Sequence, residues 1–338
     1  MHLAHTAAGI GRSSRTGLTS ASVLIPTLNP GPGIAGVLSA IFEQEGAPSF
    51  EVVVVDSGST AEDLERVGAF PVRLMHIPRA EFGHGKTRNL LAREAQGDLL
   101  LFLSQDAQPA SRHWMARLVA PLRDPRVAGA YARQVPHPGA DPFISFFLET
   151  TYPPTPARRS AHTSTRVPLS AGRGQVRAAP GLAAGDAPEG ASAIRQTAAV
   201  GLEGMFFSNV SSAIRRDAWE HIPFREDVVM SEDQHWAHDA LRAGYEVVYE
   251  PEARVYHSHN YSLKELFRRN RLSGASLRGL IALPRDGLAR QACYVAGEAQ
   301  YVFRRPASRH LLPYMLLYEA VRAAGFSAGL TFGPPRRA

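Results

Sequence analysis

Ser231-Glu232-Asp233-Gln234-His235-Trp236 sets two carboxylates at the start of an amphipathic stretch. Ser231 and Gln234 have the spacing of a capping box, Trp236, Ala237, Ala240 and Leu241 recur at helical spacing, and Gly244 supplies a stop. The pattern predicts a helix opening at Ser231 that fixes Asp233 on its first turn, where a carboxylate can take a proton from a hydroxyl nucleophile. Acids that merely complement the positive end of the helix dipole would look the same. Trp236 is either a stacking platform or a core tryptophan.

Four other segments carry chemistry. Asp56, followed by Ser57-Gly58-Ser59, is either a turn-forming aspartate or an acceptor for the ring N–H of a pyrimidine base. The run from Gly83 to Asn89, with Gly85, Lys86, Thr87 and Arg88 inside it, opens a helix whose N–H groups and dipole favour a phosphate. It is not a P-loop, because Ala80 stands where the motif needs its first glycine. Asp106 offers a hard oxygen to Mg2+ or Mn2+, ions held largely through substrate phosphates. His257 and His259 can complete the metal shell or grip a diphosphate; strand alternation sends them to opposite faces, and His257 is the one placed on the ion.

These residues need a frame. Strand-like runs at 22–25, 51–55 (β-branched and almost uninterrupted), 72–77 and 99–103 alternate with helical periodicity at 34–41 and 86–95, which predicts βαβ units and an open, mostly parallel α/β sheet covered by helices on both faces. In such sheets ligands bind beyond the carboxyl ends of the strands, where Thr27, Asn29, Asp56, Gln105 and Asp106 fall. Further strands are expected at 210–214, 246–249 and 253–257, with helices from 231 and 262. Residues 1–20 read as a loose tail, 21–275 as the main domain and 276–338 as a helical extension. Within the domain, 153–196 lacks a pattern and reads as a mobile insertion or as an arginine-bearing lid.

The 338 residues, 44% hydrophobic and 20% charged, suffice for one large α/β domain with appendages. A single cysteine, Cys293, excludes an intrachain disulfide and a cysteine zinc site and fits a reducing compartment, the cytoplasm. No stretch reaches the roughly 18 apolar residues of a spanning helix. The net charge of +6 favours anionic partners: nucleic acid, a diphosphate or an acidic lipid surface. The C-terminal apolar residues between arginines suit either peripheral membrane contact or packing on the protein itself.

Together, residues 22–29, Asp56 to Ser59, His84 to Asn89, Ser104-Gln105-Asp106-Ala107, the Ser231 to Trp236 helix and Tyr256 to Ser262 resemble the family-2 glycosyltransferases of GT-A fold, and within them the rhamnosyltransferase branch. The resemblance implies an inverting, metal-dependent hexosyltransferase that uses a nucleotide-diphosphate sugar, here L-rhamnose on thymidine or uridine diphosphate, in cell-surface polysaccharide (O-antigen) biosynthesis. Asp233 takes the role of base and Asp106 and His257 the metal. Pro26, Thr27, Asn29 and Asp56 hold the nucleoside, Gly85, Arg88, Asn89 and Gln105 the remainder of the donor. Glu232, Trp236 and His259 face the acceptor, a glycan or a polyprenyl-diphosphate-linked glycan at the inner membrane face. One departure is that Ser104-Gln105-Asp106 replaces the family's Asp-x-Asp. A nucleotidyltransferase would want a glycine- and lysine-rich first loop, where this chain has Ile25-Pro26-Thr27-Leu28-Asn29, and a nucleic-acid module would interleave aromatics with its arginines. Neither signature is present in this sequence.

Overall fold

The computed structural model describes residues 20–160, 206–281 and 286–333. The apolar runs become strands β1 (Ser20–Thr27), β2 (Ser49–Asp56), β3 (Arg73–His76) and β4 (Leu99–Leu103), all parallel in the order β3-β2-β1-β4. Alternating side chains feed two cores. Leu24, Val53, Val55, Leu100 and Phe102 face one layer, where helices His84–Glu94, Pro142–Thr151 and Glu232–Arg242 contribute Leu91, Phe143, Trp236 and Leu241. Val23, Ile25, Val52, Val54 and Leu101 face the other, covered by Ile34, Leu38 and Ile41 of helix Gly33–Phe42 and by Trp114 and Leu118 of helix Trp114–Val119. Burying each such side chain contributes about 1.5–3 kcal/mol, so cover on both faces fixes the strand ends.

Strands β5 (Gln108–Pro109), β6 (Val127–Val135), β7 (Ala157–Arg159), β8 (Ser211–Arg215) and β9 (Glu246–Tyr256) extend the sheet to β3-β2-β1-β4-β8-β6-β9-β5, with β7 also on β9. β6 and β9 are parallel, but β8 lies antiparallel between β4 and β6. The expected parallel sheet thus describes the first half, and the second half is mixed. The consequence is functional: β1, β2, β4, β6 and β9 all end on the edge where β8 begins.

Two expectations change. The strands expected at 246–249 and 253–257 are one strand, because its ladder to β6 slips between Ala132 and Arg133 and so accommodates Pro251. Within 153–196, residues 157–159 form β7; 161–196 lie outside the described residues, as does the tail at 1–19.

Helices Leu263–Leu277, Gly287–Phe303 and Leu312–Phe332 close the chain. Ser262 caps the first, its hydroxyl accepting from the Glu265 N–H at 3.3 Å. The first and last of these helices touch backbone to backbone, since a Cβ on Gly274 or Gly329 would collide with the carbonyl of Phe326 or Arg271. Among the described residues no helix is long and apolar enough to cross a membrane.

Candidate active site

At the shared edge, Thr27 and Asp56 are register partners at the ends of β1 and β2. Asp56 accepts from the Gly58 N–H at 2.9 Å, the Ser59 N–H at 3.0 Å and the Ser59 hydroxyl. Burial opposes its ionisation, but these bonds and His76 hold its carboxyl below the usual range. Asn29 bridges the same loops: its N–H donates to Ser59 Oγ at 2.7 Å and its Oδ1 accepts from the Thr60 N–H at 3.2 Å. Pro26 lies half-buried in β1 beside Val55. Thr27 is buried against Val55 and Asp56.

Past β4 and β9, Asp106, His257 and His259 converge. His259 Nε2 is 3.0 Å from Asp106 Oδ2, His257 Nε2 is 3.6 Å from Asp106 Oδ1, and the two Nε2 atoms are 3.1 Å apart. Donors bonded to one ion at about 2.1 Å sit about 3 Å from each other, so this oxygen and two nitrogens fit a single divalent cation. His257 Nδ1 is 2.9 Å from Gln134 Oε1, which leaves Nε2 for the ion. Burial pushes His257 down to about 4, and the neutral ring is the form that ligates. Burial also opposes the charge on Asp106, yet the His259 hydrogen bond and both imidazoles hold its carboxyl below the usual range. His259, expected toward the acceptor, is here because β9 ends at Tyr256 and alternation no longer applies beyond it.

Helix Glu232–Arg242 turns its N-terminus to the same edge. It ends as expected, with Gly244 at φ 87°, its N–H on Leu241 O at 3.1 Å and the Tyr245 N–H on Ala240 O at 3.0 Å. Its start corrects the capping-box reading: Ser231 is left-handed at φ 63° and its side chain does not cap, while the Gln234 amide pairs with the backbone of Phe207. Asp233 accepts from the Asn209 N–H at 3.0 Å and the Gln234 N–H at 2.9 Å. Burial, and then the charge of Glu232, push its carboxyl up to about 7.

A continuous set of contacts joins the two centres. Asn209, which bonds Asp233, adjoins Ser208; Ser208 Oγ accepts from Gln134 Nε2 at 3.0 Å, and Gln134 reaches His257 beside Asp106. Gln134, Ser208 and Asn209 were not anticipated. The signal available was a polar residue inside the apolar strand Val127–Val135.

Several expected contacts are instead structural. Trp236 is 1% exposed, with its ring on Phe207 and its Nε1–H on Ile222 O, and so cannot meet an acceptor. Glu232 is buried in an ion pair with Arg88 at 2.6 Å, which occupies both residues away from acceptor and donor. Although burial raises its pKa, Arg88 and His84 hold Glu232 below its usual value. The Asn89 amide serves Phe224 and Trp219. Gly85 packs where a Cβ would strike the Arg225 carbonyl. Both ends of the Gln105 amide hold the Leu28 backbone, at 2.8 and 3.1 Å, so Gln105 braces the loop after β1.

The model for glycosyl transferase family 2 matches residues 22–170. O-antigen chain rhamnosyltransferase RfbN of Salmonella typhimurium is 31% identical over 256 residues, spanning 73% of this chain and 69% of that protein. The chain belongs to glycosyl transferase family 2. As a member of that family it is a glycosyltransferase. A second relative, O-antigen chain rhamnosyltransferase WbaN of Salmonella anatum, is 25% identical over 254 residues, 75% of this chain and 70% of that one. Mannosyltransferase PcManGT from Pyrobaculum calidifontis, solved with GDP-Man and Mn2+, superposes with a TM-score of 0.55 at 19% identity over 92% of this chain and 87% of that one. The fold is the GT-A fold of glycosyltransferases.

Proposed function

We propose that this family-2 enzyme is a hexosyltransferase that moves L-rhamnose from thymidine diphosphate to a growing O-antigen glycan, with inversion at the anomeric carbon. The observation that carries the chemistry is the contact path from Asp233 through Asn209, Ser208, Gln134 and His257 to Asp106. The choice of rhamnose and of an O-antigen acceptor is supported by the two relatives named for that activity. Residues 21–275 would carry the reaction and 276–338 would form the extension.

Asp233, held by two backbone N–H groups, takes the proton of an acceptor hydroxyl. The hydroxyl oxygen bonds to the anomeric carbon from the face opposite the nucleotide, while the bond to the diphosphate breaks and its electron pair leaves with the diphosphate. Asp56, Thr27, Pro26 and Asn29 orient the nucleoside at the ends of β1 and β2. Asp106, His257 and His259 would hold a divalent ion that supplies positive charge for the departing diphosphate. Two imidazoles in this set favour Mn2+ over Mg2+, which prefers oxygen ligands. The acceptor is a glycan on a polyprenyl diphosphate, met at the inner face of the membrane. An exposed apolar helix face flanked by arginines supports that placement.

The test is turnover of a panel of nucleotide sugars with a lipid-linked glycan acceptor, in Mn2+, Mg2+ or chelator. Thymidine diphosphate released from its L-rhamnose conjugate, faster with Mn2+ and abolished by chelator, is the expected result. Preference for another donor overturns the rhamnose assignment, and release of pyrophosphate would reveal a nucleotidyltransferase.

A further inference from the structure

Gln134 is the penultimate residue of β6 and is 6% exposed. A primary amide so placed is costly unless each of its polar atoms is met. All are met here. Nε2 donates to Ser208 Oγ at 3.0 Å and to the Tyr152 hydroxyl, and Oε1 faces His257 Nδ1 at 2.9 Å. Tyr152 is itself buried, and burial pushes its phenol far above the usual value, so it remains a neutral hydroxyl able to accept from the amide. Residue 209, next to Ser208, gives its backbone N–H to Asp233.

We propose that Gln134 is a positioning residue for both halves of the site: it fixes the proton of His257 on Nδ1, so that the Nε2 lone pair faces a divalent cation, and it ties that imidazole to the loop that braces Asp233. The inference rests on reading Asp106, His257 and His259 as metal ligands. The direction of the amide is what matters. With Oε1 against Nδ1 the ring must donate there and keep Nε2 bare. Were the amide reversed, its N–H would face Nδ1, the ring proton would sit on Nε2 beside Asp106, and no lone pair would be offered. The structure holds the first arrangement, with Nε2 against the hydroxyls of Ser208 and Tyr152 and Oε1 against Nδ1.

The distinction can be measured without turnover. Mn2+ alone is titrated into the full chain and the free ion followed by its paramagnetic resonance signal. Gln134→Leu, which offers no acceptor, is expected to weaken Mn2+ binding about 10–100-fold, whereas Gln134→Glu, an obligate acceptor, should restore it. Unchanged affinity in Gln134→Leu, or a loss in Gln134→Glu as large as in Gln134→Leu, overturns the proposal. If circular dichroism shows that Gln134→Leu does not fold, Tyr152→Phe combined with Ser208→Ala frees the amide and leaves every ligand in place. Binding should then weaken, and an unchanged dissociation constant overturns the role. A wild-type chain that binds no Mn2+ removes the metal reading and this one with it. Wild-type binding with an indifferent Gln134→Leu removes this one alone.

Discussion

Asp233 is held where a carboxylate resists charge: half-buried, beside a second acid, and lifted to about 7. A base must be deprotonated to act, so kcat/KM for nucleoside diphosphate release should climb as pH rises through about 7 and level off above it. Asp233→Asn removes the proposed base and should lower turnover about 10²–10⁴-fold while the fold persists; near-normal turnover would assign the base elsewhere. Glu232→Gln removes one of the two causes of the raised value and keeps the shape, so the acid limb should move to lower pH. A limb that stays in place or moves up would deny Glu232 this influence. Because Arg88 then stands buried without its counter-charge, that variant should also lose stability. Asp106, His257 and Asp233, the residues proposed to hold the metal and take the proton, stand out in the sequence because each falls at or just past the end of a strand or the start of a helix, where residue type and position suit a ligand. Trp236 and Asn89 misled for the opposite reason: they occur on helices at the site, and spacing along a helix does not say which face meets the sheet. His259 misled because the strand stops one residue before His257, which sequence alternation cannot reveal.

The elements follow the same logic. Continuous Val/Leu runs such as 52–55 and 99–103 read as doubly buried strands and are so, and Gly244 ends its helix as its freedom at φ 87° allows. The reversed direction of β8 was not legible, since an apolar run carries no direction, and Pro251 looked like a break because a slipped ladder can be recognised only with its partner present. Glu298, on helix Gly287–Phe303, shows a further thing a pattern conceals. It is buried beside Tyr294 of its own helix and Glu319 and Arg322 of helix Leu312–Phe332; Glu319 and Arg322 pair with each other, and Glu298 Oε2 finds no partner among the described residues. Burial, then Glu319, push its carboxyl up to about 9 against an ordinary 4.5, so at neutral pH it is an uncharged acid. A folded value above the unfolded one means that its contribution is whole below 4.5 and is lost as pH rises through about 9, by at most about 1.4 kcal/mol per unit. Glu298→Gln imitates the neutral acid at every pH. Its Tm advantage over wild type should therefore widen from pH 5 through 7 to 9 in scanning calorimetry; a constant or inverted gap would mean that Glu298 is not held neutral.

At the scale of the molecule, the chain carries a net charge of +6, and exposed apolar side chains occur on and just before the last described helix. Leu316 and Leu317 are 54% and 50% exposed, and Phe303, at the end of the preceding helix, is 56% exposed. Arg304, Arg305 and Arg309 are exposed on the connecting turn, with Arg309 over the Phe303 ring. Exposed apolar side chains that could enter the acyl boundary, with exposed arginines close in sequence that could meet lipid phosphates, would suit the membrane contact proposed above. A second copy of the chain, carrying the same arginines, would be repelled. Each arginine near such a bilayer contributes about 1 kcal/mol, so replacing all three by glutamine should weaken binding to phosphatidylglycerol vesicles on the order of a hundredfold. Leu316→Glu with Leu317→Glu should abolish flotation with those vesicles, and neutral phosphatidylcholine vesicles should bind wild type poorly. Binding indifferent to lipid charge, or to both sets of substitutions, would sink the assignment. Loss of a concentration-dependent dimer in the leucine variants, without any vesicle binding by wild type, would give this face to self-association instead.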